Sequence, residues 1–317
     1  MKPSNGSRFF RPSISRSLLW GCFIACLLLW VLLGNGVAFS DEQASPERII
    51  VFPLYAEEIL YDLVGVDRIV YVGHQQIEDE SYSPIIKCVS HIPGANWQNT
   101  GECELLELNP DLIVLEDDLM SDYAVIFPSL TQKGVRFLFV DEPESIDEIE
   151  SLILQIGDVV GEPERAHEMV LNLEEELEDI AHFVDHVHMS KCSSAAYVGE
   201  YYPYPLWDDV VGAVGIAPLS YEHMCYFDNI EALENWNPDI ILFDPYVFDT
   251  DGSLLPVEQG YVSEVASLIA NDPKLAIISA VQEGNIFPLR IHSSHYVVDS
   301  IRDLLRYMNN GHPNLDQ

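Results

Sequence analysis

Positive charge is what this 317-residue sequence has least of. Fifteen Lys and Arg, only five of them Lys, stand against 52 Asp and Glu, for a formal net charge of −37. Nucleic acid is thereby excluded as a partner, because holding phosphates requires clustered cationic side chains. Catalytic signatures are missing too. There is no G-x-S-x-G, no G-x-x-x-x-G-K-[ST], no H-E-x-x-H and no G-x-G-x-x-G. No C-x-x-C occurs among the six cysteines, which argues against a metal cluster. Acidic neighbours such as Asp117-Asp118 and Asp208-Asp209 are chance pairs at this composition. Carboxylate chemistry needs a pair held apart across a cleft, which sequence neighbours do not supply.

The first forty residues lack acids altogether but carry Lys2, Arg8, Arg11 and Arg16 ahead of an apolar run from Leu18 to Leu33. This is the pattern of an export signal, residues 1–40, with cleavage after Ala38-Phe39-Ser40. An uncleaved anchor and lipidation at Cys26 are the alternatives. Cleavage removes four positive charges and no negative ones, moving the net charge from −37 to −41. Four cysteines then remain in an oxidising compartment: Cys88, Cys103, Cys192 and Cys225. Pairing within each half, Cys88 with Cys103 and Cys192 with Cys225, leaves two moving lobes untied; four buried free thiols are the alternative.

Arg48 to Phe52 reads as a strand, Leu54 to Val64 as a helix and Arg68 to Val72 as a second strand, so the mature chain opens on βα units. A long loop, Gly73 to Gly101, leads to a short helical stretch at Cys103 to Leu108 and a strand at Asp111 to Leu115. A helix over Leu119 to Gln132, a strand over Arg136 to Val140 and a helix capped by Ser145 and Glu148 follow. From Pro163 to Met189, apolar residues at Ala166, Met169, Val170, Leu173, Leu177, Ile180, Val184 and Val187 recur at threes and fours. That spacing makes one helix about 40 Å long, enough to bridge two lobes. His182, His186 and His188 near its end include an i, i+4 pair, which reads as a solvated face.

The second half repeats the first. Asn109-Pro110-Asp111-Leu112-Ile113-Val114-Leu115 is echoed by Asn237-Pro238-Asp239-Ile240-Ile241-Leu242-Phe243. The expected fold is therefore α/β: a lobe over residues 41–161, a spine helix over 162–190 and a second lobe over 191–317. Ligands of open α/β sheets bind beyond the carboxyl ends of the strands. Candidate ligand residues by that position are Tyr55, His74, Tyr82, Glu116 and Asp117 on one side, and Asp244, Tyr246, Arg290, His292 and His295 on the other. An aromatic loop adds Tyr201, Tyr202, Tyr204 and Trp207, whose rings either stack on a flat ligand or pack onto their own lobe.

Taken in order, the opening strand with Glu58-Ile59-Leu60, Gly65 to Val70, both Asn-Pro-Asp strands, Gly134-Val135, Ser145 to Gly161, the spine and Ala280 to Pro288 resemble one family. It is the helical-backbone group of periplasmic binding proteins that serves siderophore, haem and cobalamin importers. The resemblance covers nearly all of residues 47–310. It implies the class III fold, two Rossmann-like lobes joined by one long helix, with no catalysis and no cofactor. It also implies a metal chelate or tetrapyrrole as ligand, and an ABC permease with its ATPase as partners. The family docks on its permease through one Glu per lobe. Glu231 fills that place on the second lobe, whereas the first has Cys103 there, flanked by Glu102 and Glu104. Pro53-Leu54-Tyr55-Ala56, where the family has small hydroxyl residues, points to a different ligand. A bare-metal carrier and a chelatase-like enzyme are the other function classes; the export signal counts against the second.

Overall fold

The computed structural model describes residues 44–73, 83–95, 100–117, 127–187, 194–199, 206–218, 225–226, 232–245 and 261–310. The first lobe contains β1 (Ile49–Val51), α1 (Leu54–Val64), β2 (Ile69–Val72), α2 (Ile86–Val89), α3 (Glu102–Glu107), β3 (Leu112–Glu116), α4 (Phe127–Gln132), β4 (Arg136–Val140) and α5 (Ile146–Val160). The spine is α6 (Pro163–Val187). The second lobe contains β5 (Ser194–Gly199), α7 (Trp207–Ala213), β6 (Ala217–Pro218), β7 (Cys225–Tyr226), α8 (Ala232–Trp236), β8 (Ile240–Phe243), α9 (Tyr261–Asn271), α10 (Ser279–Glu283), β9 (Ile286–Pro288) and α11 (Val297–Asn310). Helix α2 interrupts what the sequence reads as one long loop. Among the described residues no helix is long and apolar enough to cross a membrane.

The sheets share one topology. The first has the order β2-β1-β3-β4 and the second β6-β5-β8-β9 with β7 also on β5; every pairing is parallel. Parallel strands covered on both faces read as continuous apolar runs, which is how β1, β3 and β8 appear in the sequence. Alternate residues then go to opposite faces. Ile49, Val51, Leu112 and Val114 of the first sheet, with Ala195, Tyr197, Ile240 and Leu242 of the second, join one central apolar cluster that also takes in α1, α5, α6, α7 and α11. The opposite faces form two separate outer clusters, Ile50, Ile113 and Leu115 in one, Ala196, Ile241 and Phe243 in the other.

The Asn-Pro-Asp repeat has a structural cause. Asn109 and Asn237 both take left-handed backbone conformations, φ 47° and 45°, that close the preceding helix, and the proline prevents its continuation. Each Asp then ties its strand to the neighbouring one. Asp111 accepts from the Glu47 and Arg48 amides at 3.0 and 2.9 Å, and Asp239 accepts from the Ser194 amide at 3.1 Å.

The spine turns its predicted stripe inward. Ala166, Leu173 and Ile180 are buried, and Met169, Val170, Leu177 and Val184 pack against the same cluster. Helix α5 ends on Gly161 at φ 78°, and Arg68 binds the chain there, donating to the Val160 carbonyl at 2.7 Å and to Glu162 at 3.1 Å. Gly157 lets α5 approach α6 closely: a Cβ at that position would lie 2.3 Å from that of Ala166. At the other end of α5 the Ser145 hydroxyl accepts from the Glu148 amide at 3.2 Å. The Glu148 carboxylate in turn accepts from the Glu144 amide at 2.8 Å.

Candidate functional site

The carboxyl ends of β3 and β4 open on a cavity of about 510 Å³ lined by Glu116, Asp117, Val140, Asp141, Glu142, Glu144 and Glu148. Six of these seven residues are acidic. Glu116 and Asp117 occupy the place their position after β3 implies; Asp141, Glu142, Glu144 and Glu148 join them from the β4–α5 connection. Tyr55 is buried in the first turn of α1, and its hydroxyl reaches toward the Val140 carbonyl on the cavity wall at 3.5 Å.

The second lobe meets this rim through the segment that leaves β9. The Ser293 hydroxyl donates to Glu142 at 2.7 Å. Partial burial pushes the Glu142 carboxyl above its ordinary value, and the Ser293 donation and the nearby Arg290 charge hold the rise back. Arg290, half-buried, is near enough for its charge to act on Glu142. Asp244, at the end of β8, is also half-buried.

His292 and His295 face the first lobe's helix α1 instead. His292 is buried with its Nδ1 3.7 Å from the Glu58 carboxylate. His295 Nε2 lies 2.8 Å from Asp62, which also accepts from the Tyr296 hydroxyl at 2.7 Å. Glu58 is buried and accepts from the hydroxyls of Ser83 and Ser294, each at 2.5 Å. Burial works to raise the Glu58 carboxyl, but His292, Ser294 and Ser83 outweigh it and bring it below its ordinary value. Asp62 follows the same pattern, burial opposed and outweighed by His295, Tyr296 and the Arg165 charge.

The aromatic expectation is corrected at Trp207. Its side chain is 5% exposed, edge-on to Tyr197 with ring centroids 5.5 Å apart, so it packs the second lobe's core. The rest of that loop, Tyr201, Tyr202 and Tyr204, lies outside the described residues, as do His74, Tyr82 and Tyr246. The disulfide expectation is corrected at Cys88 and Cys103, which are free, exposed thiols. Cys88 stands on α2 near the Tyr61 hydroxyl, while Cys103 sits on a different helix, α3. Cys192 lies outside the described residues, and of Cys225 only the strand backbone is described. His182 is exposed on the spine; the side chain of His186 and all of His188 lie outside the description. Among the described residues, no group of three or more His, Cys, Asp or Glu is arranged to hold a metal ion.

Reading from sequence missed Glu58, Asp62, Glu142, Ser293 and Ser294. One signal was present for the first two: in Leu54–Val64 the acids at 58 and 62 fall on the stripe of Tyr55, Ile59 and Leu63, where an exposed acid has no place.

Residues 54–290 match the periplasmic binding protein family. A crystal structure of a periplasmic binding protein from Veillonella parvula superposes with a TM-score of 0.67 at 17% identity, covering 86% of this chain and 89% of that one. A possible iron-binding, periplasmic solute-binding protein from Staphylococcus epidermidis gives 0.63 at 20% identity, covering 84% and 100%. A periplasmic heme binding protein from Pseudomonas aeruginosa gives 0.62 at 17% identity, covering 84% and 94%. In sequence, an uncharacterized ABC transporter substrate-binding lipoprotein of Bacillus subtilis, YvrC, is 26% identical over 138 residues, 44% of this chain. That match spans 42% of the length of YvrC, less than half of it. The superpositions show the fold, and the family match over residues 54–290 establishes that this chain belongs to the periplasmic binding protein family.

Proposed function

We propose that this protein is the extracytoplasmic substrate-binding component of an ABC importer. It is exported by residues 1–40, captures a metal chelate between its lobes and passes it to a membrane permease driven by an ATPase. The observation that carries this reading is the 510 Å³ cavity at the carboxyl ends of β3 and β4, with Arg290 and Ser293 of the other lobe at its edge. Two equivalent α/β sheets, one opening on that cavity and the other sending the Ser293 segment to its rim, suit capture of a small molecule, with no chemistry done on it. The similarity to YvrC supports the ABC assignment, and the proteins named for iron and heme binding among the structural neighbours support a metal chelate: a ferric siderophore, haem or a corrinoid.

The rim narrows the class further. Six carboxylates around one opening repel an anionic ligand and attract a cationic one, and the low-dielectric walls of a cleft strengthen both effects. The ligand is therefore a chelate of no net negative charge. Titration of the purified protein with a size-matched panel of ferric chelates, haem and cobalamin tests this. A neutral or cationic chelate should bind about tenfold or more tightly than an anionic one, a gap of at least about 1.4 kcal/mol, and the gap should shrink as salt screens the rim. Preference for the anionic members would overturn the charge assignment. Failure of the whole panel to bind would overturn the carrier reading.

For docking on the permease, the reading uses Glu231 on one lobe and Glu102 and Glu104 on the other. Glu231 lies outside the described residues, directly before α8. Glu102 and Glu104 stand in the first turn of α3, where Glu104 is exposed and Glu102 accepts a hydrogen bond from the Ser129 hydroxyl.

A further inference from the structure

Five consecutive residues of the second lobe, His292 to Tyr296, supply a row of polar groups, and three carboxylates of the first lobe receive them. Ser293 meets Glu142, Ser294 and His292 meet Glu58, and His295 and Tyr296 meet Asp62. Glu58 and Asp62 are one turn apart on α1, so a single helix face holds most of the row. The row lies beside the central apolar cluster, where Tyr55, Ile59 and Val297 are buried. A buried carboxylate with several donors is strongly position-fixing, because displacing one donor leaves the charge under-solvated.

We propose that residues 292–296, Glu58 and Asp62 form a clasp that fixes the separation of the two lobes before any ligand arrives, with Glu58 as its positioning residue. The proposal goes beyond the transport reading, since it concerns the ligand-free protein. It assigns to His292 and His295 a mechanical role in place of ligand contact. The segment leaving β9 is thereby held where Arg290 and Ser293 stand beside the acidic rim.

The clasp responds to acid. Glu58 is faced by His292 and by the Ser83 and Ser294 hydroxyls; His292 also acts on Asp303 of α11. Asp62 is faced by His295, Tyr296 and Arg165 of the spine, and the groove beside it also carries Glu168 and Glu176. Both carboxyls titrate below their ordinary values of 4.5 and 3.8. Their contribution is therefore complete above those values and lost as pH falls through the lower values of the folded state. Glu142 has the opposite sign: its carboxyl is raised, so protonation as pH falls relieves a cost of folding, and the Ser293 contact can survive.

Hydrogen exchange of the ligand-free protein tests the clasp. In Glu58→Gln one of the two acceptor oxygens, each of which takes one hydroxyl donor, becomes an amide donor facing that hydroxyl. Exchange in 54–64 and in 290–297 should rise together by about tenfold or more, equivalent to about 1.4 kcal/mol, while β3 and β8 stay protected. Lowering the pH from 7 to below 4, after correction for intrinsic exchange, should produce the same paired rise in the wild type and a flatter response in Glu58→Gln. A rise confined to one segment, no rise at all, or an identical pH response in the two proteins would overturn the proposal. Should Glu58→Gln fail to fold, Tyr296→Phe, which removes one hydroxyl from Asp62, must give a smaller paired rise; unchanged exchange in both segments would overturn it.

Discussion

Replacing Trp207 with alanine is expected to lower stability by about 3–5 kcal/mol and the melting temperature by on the order of 10 °C. The residue starts α7, yet its indole is enclosed between Tyr197 of β5 and the apolar face of its own helix, with Leu206, Val210 and Val211 in the same buried cluster. Truncation removes the transfer energy of a large aromatic and leaves a cavity that a strand and a helix cannot collapse into. Thermal melting followed by circular dichroism measures the loss. A variant that melts with the wild type would show that the indole is not part of the core. Because the side chain is buried, ligand affinity of the folded variant at low temperature should change much less than stability.

Gly157→Val should also be damaging, by about 1–3 kcal/mol or more, for the opposite reason. Even the first carbon of a side chain would stand 2.3 Å from the Ala166 Cβ, so α5 and the spine must separate to admit it. A β-branched side chain is stiff at that bond and cannot swing clear. Gly157→Ala should show a milder form of the same effect. Urea denaturation of both variants gives the test, and a midpoint unchanged in Gly157→Val would mean that the helix pair is looser than its geometry implies.

The strands and the spine were legible because their signals are local. Arg136 to Val140 and Leu54 to Val64 come directly from apolar runs and 3.6-residue spacing, and the two Asn-Pro-Asp segments announce the repeated topology. Glu116 and Asp117 were placed at the rim by the rule for strand ends. Trp207 was misread because an aromatic next to Tyr201, Tyr202 and Tyr204 shares their composition, whereas its burial depends on Tyr197 and on the turn into α7. Beyond the place of Glu58 and Asp62 on the α1 stripe, their network was illegible for a different reason: its donors include Ser294, 236 positions from Glu58, and hydroxyls carry no periodic pattern. The pairing of Cys88 with Cys103 rested on counting and lobe membership, which say nothing about the Tyr61 contact that Cys88 makes.

The central cluster has a thermodynamic consequence. One face of each sheet contributes to the same continuous apolar interior, with α1, α5, α6, α7 and α11 between them. Separating the lobes would expose that interior on both sides, at roughly 25 cal/mol for every Å² of apolar surface uncovered. The halves therefore cannot melt independently, although each has a parallel sheet of its own. Calorimetry should record one cooperative transition instead of two, and a gene truncated before the spine should yield an insoluble fragment, whatever its own sheet is worth.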